Sequence, residues 1–226
     1  MKHTILYIAT TLLLASCGQE ELPLGEQALG YLSLSAVEVE ASDVQLISTR
    51  AGETDDLIVA LTPTGEGTAK EYEYAETISC PPGTYTLEVY NKDYKEKADA
   101  AHYYYKHEES VIIKEKETET VEAIPVPMIN FGITFSWPED LKGFTEIKFK
   151  IEYDSTSKEI QTGETAYFDI SDKETISYTL SAQNEDEDEE PVATTGSYGD
   201  EENETLKAGT IYIVSYKLET QTLEIK

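Results

Sequence analysis

From about residue 30 onward, apolar and polar residues alternate with period two along most of the chain. In residues 145–153, Ile147, Phe149, Ile151 and Tyr153 share one face, while Lys148, Lys150 and Glu152 share the other. Successive side chains of a strand point to opposite faces, so this pattern predicts a strand with one face buried and one in water. Residues 84–90 put Tyr85, Leu87 and Val89 inward, and residues 175–182 repeat the pattern with Ile176, Tyr178, Leu180 and Ala182. The same reading gives strands over 56–61, 110–114, 119–124, 128–137, 165–170 and 210–218. Pro63-Thr-Gly65, Pro81-Pro-Gly83, Trp137-Pro138 and Ala208-Gly209 supply turns between them. Many short strands with almost no helical periodicity predict an all-β chain of antiparallel β-sandwiches. The exception is 91–101, a polar, alanine-containing connection expected to hold a helical turn.

Ile124-Pro-Val-Pro127 marks the organisation. Two prolines within four residues cannot both donate in a central strand, so this stretch is an edge or a linker. It divides the chain into an N-terminal sandwich, 30–125, and a C-terminal one, 126–226, each of a small domain's size. No clean sequence repeat relates the halves. In the second, Asn184-Glu-Asp-Glu-Asp-Glu-Glu190 and Asp200-Glu-Glu-Asn-Glu204 bracket 191–199. Adjacent carboxylates repel, which predicts a solvated acidic loop over 184–204. A calcium site is the weaker reading, because no glycine-punctuated ligand loop is present.

Composition then narrows the setting. The 226 residues carry 45 acids against 17 bases, a formal net charge of −28, so a nucleic-acid partner is not expected. Before the strands begin, Met1-Lys2-His3 precedes an apolar run, 5–14, that is too short to cross a bilayer as a helix. It has the form of an export signal ending in small residues, Leu14-Ala15-Ser16-Cys17. This resembles the lipobox of bacterial lipoproteins. The resemblance implies removal of residues 1–16, lipid attachment (palmitate among the acyl chains) at Cys17, and an outer-membrane anchor. Gly18-Gln19-Glu20-Glu21 resembles the surface-export tag of Bacteroidetes lipoproteins, so 17–29 reads as an acidic tether to a cell-surface domain. Several acyl chains make a stable anchor where one binds only marginally.

Candidate chemistry is sparse. His102 and His107 lie five apart, on opposite faces of a strand, and would not share a metal without a bend. Surface or turn positions are expected for both. Cys80 has no neighbouring base in sequence to activate it and is read as a small buried residue at a strand end. No G-x-S-x-G, P-loop or H-E-x-x-H motif occurs. No enzyme activity, metal or cofactor is expected. Sixteen tyrosines are present, and Tyr103-Tyr104-Tyr105 are the weak candidates for a glycan or partner contact, against a core-and-edge role. Asp154-Ser155-Thr156 resembles a Bacteroidetes O-glycosylation sequon.

The order of several loose motifs carries a wider resemblance. Gly30-Tyr-Leu-Ser-Leu-Ser35 is followed by Thr49-Arg-Ala-Gly52, residues 56–61, Pro82-Gly-Thr-Tyr-Thr-Leu87, Ala101-His-Tyr-Tyr-Tyr105 and Met128-Ile-Asn-Phe-Gly-Ile-Thr-Phe135. This is similar to a domain family of unknown function common in Bacteroidetes surface lipoproteins and akin to their fimbrillins. Cys80, more often aliphatic in that group, and the acidic loop depart from it. The resemblance implies two tandem transthyretin-like sandwiches and a fimbria-like structural, accessory or adhesive role, with other subunits or host ligands as partners. It also implies cleavage after an arginine in the loop following the first strand, loss of that strand, and its replacement by a donor strand. Arg50, the sole arginine in the chain, stands at that place, making Arg50-Ala51 the candidate scissile bond. Leu32, Leu34, Val37 and Val39 then belong to the removable strand. Two other readings stay open: an uncut, anchored accessory or capping subunit, and a glycan-binding lipoprotein of an outer-membrane uptake system.

Overall fold

A computed structural model describes residues 29–40, 56–138, 143–185, 191–199, 204–217 and 222–225. Among the described residues the chain is all-β apart from one helical turn. The first sandwich holds β1 (Gly30–Glu40), β2 (Leu57–Pro63), β3 (Lys70–Glu73), β4 (Thr77–Cys80), β5 (Gly83–Asn91), α1 (Asp93–Glu96), β6 (Tyr104–Lys106), β7 (Val111–Ile113) and β8 (Thr118–Pro127). The second holds β9 (Asn130–Ser136), β10 (Phe144–Tyr153), β11 (Thr156–Ile160), β12 (Thr165–Asp169), β13 (Ile176–Asn184), β14 (Val192–Tyr198), β15 (Ile211–Lys217) and β16 (Thr222–Ile225).

Each sandwich packs two sheets around its own apolar core. In the first, order β4-β1-β8 faces order β3-β2-β5-β6, with β7 also on β5. In the second, order β12-β9-β15-β16 faces order β11-β10-β13-β14. Setting aside β7 and β16, the two orders correspond, with β9 in the place of β1 and β15 in the place of β8, so the halves share a topology although they do not repeat in sequence. Most pairings are antiparallel, as many short strands with almost no helix between them predict. Two are not: β1 runs parallel to β8, and β9 parallel to β15. In each half the first strand thus lies inside its sheet, beside a strand from much later in the chain.

The strongly alternating segments form the cores. Tyr85, Leu87 and Val89 of β5 are buried in the first, and Phe149, Ile151 and Tyr153 of β10 in the second. Within the second core the Phe135 and Phe149 rings stack at 4.5 Å, and Trp137 stacks on Tyr216 at 5.2 Å. Such contacts add to plain area burial. Pro125 and Pro127 end β8, which among the described residues pairs with β1 alone, so the prolines sit on an edge where a missing donor costs nothing. Val126 and Met128 still belong to the first core, and the second begins with Phe131.

Two expectations change. The stretch 184–204 is not one loop, because Val192–Tyr198 forms β14 and pairs along β13 from Ala182 to Ile176. Backbone pairing there outweighs the acidic flanks, of which 186–190 and 200–203 lie outside the described residues. His102 is buried rather than at the surface. Its Nε2 lies 2.7 Å from the Lys97 carbonyl, an acceptor only, so Nε2 carries the proton. The Tyr94 ring packs edge-on against it at 5.7 Å.

Candidate functional site

The first strand and its surroundings are the candidate site. Residues Gly30 to Ser33 pair antiparallel with β4, from Cys80 to Thr77. Tyr31 to Glu40 pair parallel with β8, from Thr118 to Pro127. Alternation sends Leu32 and Leu34 into the first core, where Leu32 is 0% exposed, and leaves Tyr31 41% exposed on the outer face. Val37 packs partly against the same core; the side chain of Val39 lies outside the described residues. The start of β1 is held by the turn between β7 and β8. Lys116 N–H donates to the Leu29 carbonyl at 2.9 Å, Tyr31 N–H donates to the Glu117 carbonyl at 3.0 Å, and Glu117 N–H closes the turn on the Lys114 carbonyl at 3.3 Å.

Removing β1 would open two ladders at once. The facing edges of β4 and β8 would lose their partners, and Leu57, Val59 and Leu61 across the core would lose the side chains that cover them. Cys80 lies on this edge, opposite Gly30 and fully buried. Burial pushes its thiol pKa up, which keeps it unreactive while β1 is in place.

Tyr103, Tyr104 and Tyr105 do not form an exposed row of coplanar rings. Tyr103 is buried, bridges to Met128 and packs on the first core. The hydroxyl of Tyr104 donates to Glu88 Oε1 at 2.6 Å, and its ring lies 5.1 Å from Tyr94. Tyr105 packs partly on the core, with its hydroxyl 3.0 Å from His107 Nδ1. These are core-and-edge positions. Asp154 and Ser155 form the exposed turn between β10 and β11. Cys17, Arg50 and Ala51 lie outside the described residues. Among the described residues no group of histidine, cysteine and carboxylate side chains is placed to hold a metal ion.

Sequence reasoning missed the joint between the sandwiches. Asn91 and Asn130 grip residues 100–103 from opposite halves. Asn130 Nδ2 donates to the Ala100 carbonyl at 2.8 Å, and its Oδ1 accepts from His102 N–H at 3.0 Å. Asn91 Nδ2 donates to the Ala101 carbonyl at 2.8 Å and its Oδ1 accepts from Tyr103 N–H at 2.9 Å. Beside them Asp99 of the first half meets Lys158 of the second at 2.9 Å. Asp99 also accepts from Tyr167 N–H at 3.1 Å, while Lys158 donates to the Tyr167 carbonyl. The pair thereby satisfies the outward backbone groups of Tyr167 on β12, an edge strand. One signal was present: Asn130 is a polar residue opening an apolar run.

Burial alone would raise the Asp99 pKa, but the Lys158 ammonium and the Tyr167 N–H together bring it below the usual carboxylate range. A lowered carboxyl stabilises the folded chain above its unfolded pKa and loses that contribution as pH falls through the folded value. The protection of the Tyr167 amide against hydrogen exchange, taken relative to its intrinsic rate at each pH, is therefore expected to fall in acid, below about pH 4. In Asp99→Asn this acid step should be absent; an unchanged step would show that another group governs the joint.

A profile of a domain of unknown function, DUF4493, matches residues 28–226. The chain belongs to the DUF4493 family. No protein of curated function matches it in sequence. Among solved structures this DUF4493 chain is similar to a candidate adhesin from Bacteroides ovatus ATCC 8483, with TM-score 0.37 and 12% identity over 81% of this chain and 88% of that one. It is also similar to a leucine-rich repeat protein from Bacteroides thetaiotaomicron VPI-5482, with TM-score 0.30 and 9% identity over 82% of this chain and 26% of that one. The pilus adhesin SpaC from Lactobacillus rhamnosus GG matches with TM-score 0.27 and 11% identity over 87% of this chain and 31% of that one. The DUF4493 chain thus spans less than a third of the last two.

Proposed function

We propose that this DUF4493 chain is a non-enzymatic surface lipoprotein acting as a structural, accessory or adhesive component of a fimbria-like assembly. Lipid on Cys17 anchors the precursor in the outer membrane. Cleavage at Arg50-Ala51 then frees β1, and a strand from another subunit takes its place. The observation that carries this reading is the position of β1, an interior strand lying between β4 and β8. An incoming strand would regain both the ladder hydrogen bonds and the burial that Leu32 and Leu34 provide, which is the physical content of β-augmentation. The sequence segment that follows β1 holds the sole arginine, so one arginine-specific protease makes one cut. The net charge of −28 suits an exposed, solvated surface and opposes binding to nucleic acid.

The mature N-terminus tests this reading. Mass spectrometry of the protein from native cell envelopes is expected to find acylated Cys17, and sheared surface material is expected to contain chains beginning at Ala51. An unacylated N-terminus near residue 17, with no chain beginning at Ala51 in any fraction, would remove both the anchor and the processed subunit.

A further inference from the structure

Position 30 is restricted by space and not by backbone conformation, since its φ is outside the left-handed region. A Cβ there would lie closer than 3.0 Å to both the Lys114 carbonyl oxygen and Ile113 Cγ2. The first of these is a backbone atom fixed by the turn, which Glu117 N–H closes at 3.3 Å. It cannot swing away as the end of a long side chain would. Two and four residues later, Leu32 and Leu34 fill closed apolar sites, whereas Tyr31 points outward. The place occupied by β1 therefore imposes a five-residue pattern: glycine, any residue, apolar, any residue, apolar.

Resting on the reading that β1 is replaceable, we propose that its cleft selects a strand of the form Gly-x-apolar-x-apolar from a different polypeptide, and rejects this chain's own C-terminal strand. In β1's direction, setting Leu223 and Ile225 of β16 in the two apolar sites puts Gln221 at the glycine position. Sliding by two residues puts Glu219 or Leu223 there instead. Each of these residues carries a Cβ into the Lys114 carbonyl. Two other segments have the required pattern: Gly83, Tyr85 and Leu87, and Gly209, Ile211 and Ile213. The first belongs to β5, between β2 and β6, and the second leads into β15, between β9 and β16. Both are committed within their own sheets. Apart from β1 itself, a second copy offers no free strand of this form, so the partner that fits is another protein bearing one.

The experiment uses the full mature chain after complete cleavage at Arg50 and four fluorescein-labelled peptides read by anisotropy. They are residues 29–40, the same peptide with Gly30→Val, the same with Ser33→Val at an outward position, and residues 215–226. The native and Ser33→Val peptides are expected to bind alike, the Gly30→Val peptide about tenfold more weakly or worse, and the C-terminal peptide not at all. Equal binding by the Gly30→Val peptide, or binding of 215–226 as tight as that of 29–40, would overturn the selectivity while leaving strand replacement intact. Failure of all four, the native peptide included, would overturn replacement itself and this proposal with it.

Discussion

Leu32→Ala is expected to destabilise the first sandwich by about 2–5 kcal/mol. Leu32 is 0% exposed and sits mid-sheet with β4 on one side and β8 on the other. Truncation removes transfer free energy and leaves a cavity among Leu34, Ile78, Val121 and their neighbours, which are fixed by two ladders and cannot collapse into it. Urea unfolding followed by circular dichroism would measure the loss. The Ser33→Ala substitution, on the opposite face of the same strand, should move the midpoint little, within about 0.5 kcal/mol. If Leu32→Ala behaves like Ser33→Ala, β1 is not part of the core and its removal would open nothing.

The second large effect is at the joint. Asn130 is buried, and its amide satisfies the Ala100 carbonyl and the His102 N–H. Asn130→Ala leaves both of those backbone groups without that partner, at roughly 1–3 kcal/mol each. Tyr103 packs beside Tyr167 and Ile211, which lie partly buried against the first core, and this apolar contact survives the substitution. The two halves should therefore stay folded but lose their cooperativity. Trp137, the single tryptophan, reports on the second sandwich alone. In the native chain its fluorescence and the circular dichroism signal should change together on unfolding; in Asn130→Ala they should separate. Coincident, unshifted transitions in the variant would mean that the apolar contact alone couples the halves.

What the sequence made legible follows from which forces are local. β5, β10 and β13 alternate strongly because each has one face on a core, and their inward residues are those the pattern names. The short edge strands β3, β11 and β14 reach a core through few side chains, Tyr72, Ile160, Val192 and Tyr198 among them, and gain much of their order from a neighbour's backbone, so Val192–Tyr198 reads as part of the acidic loop. Alternation also carries no direction, and the parallel partnership of β1 with β8 joins segments far apart in the chain. His102 was misplaced for a related reason. Its burial depends on the Lys97 carbonyl and the Tyr94 ring, both brought by the helical turn rather than by its immediate neighbours in sequence. At the candidate site, the resemblance puts Leu32 and Leu34 on the removable strand, but nothing in the sequence marks Gly30 as a steric constraint. Its obstacle, the Lys114 carbonyl, is supplied by a turn on the far side of β7.

If the proposed function holds, β1 is an interior strand that departs once the chain is cut after Arg50. Cys80 reports this directly, being buried opposite Gly30 and the sole thiol in a mature chain carrying Cys17→Ser. The measurement is the rate of maleimide labelling at Cys80 before and after complete arginine-specific cleavage, with the fragments followed by mass spectrometry. A protected thiol is expected in the intact chain, then loss of the fragment ending at Arg50 and labelling as fast as in the urea-unfolded protein. A Cys80 that stays protected after complete cleavage, with the fragment still bound, would contradict the proposed function.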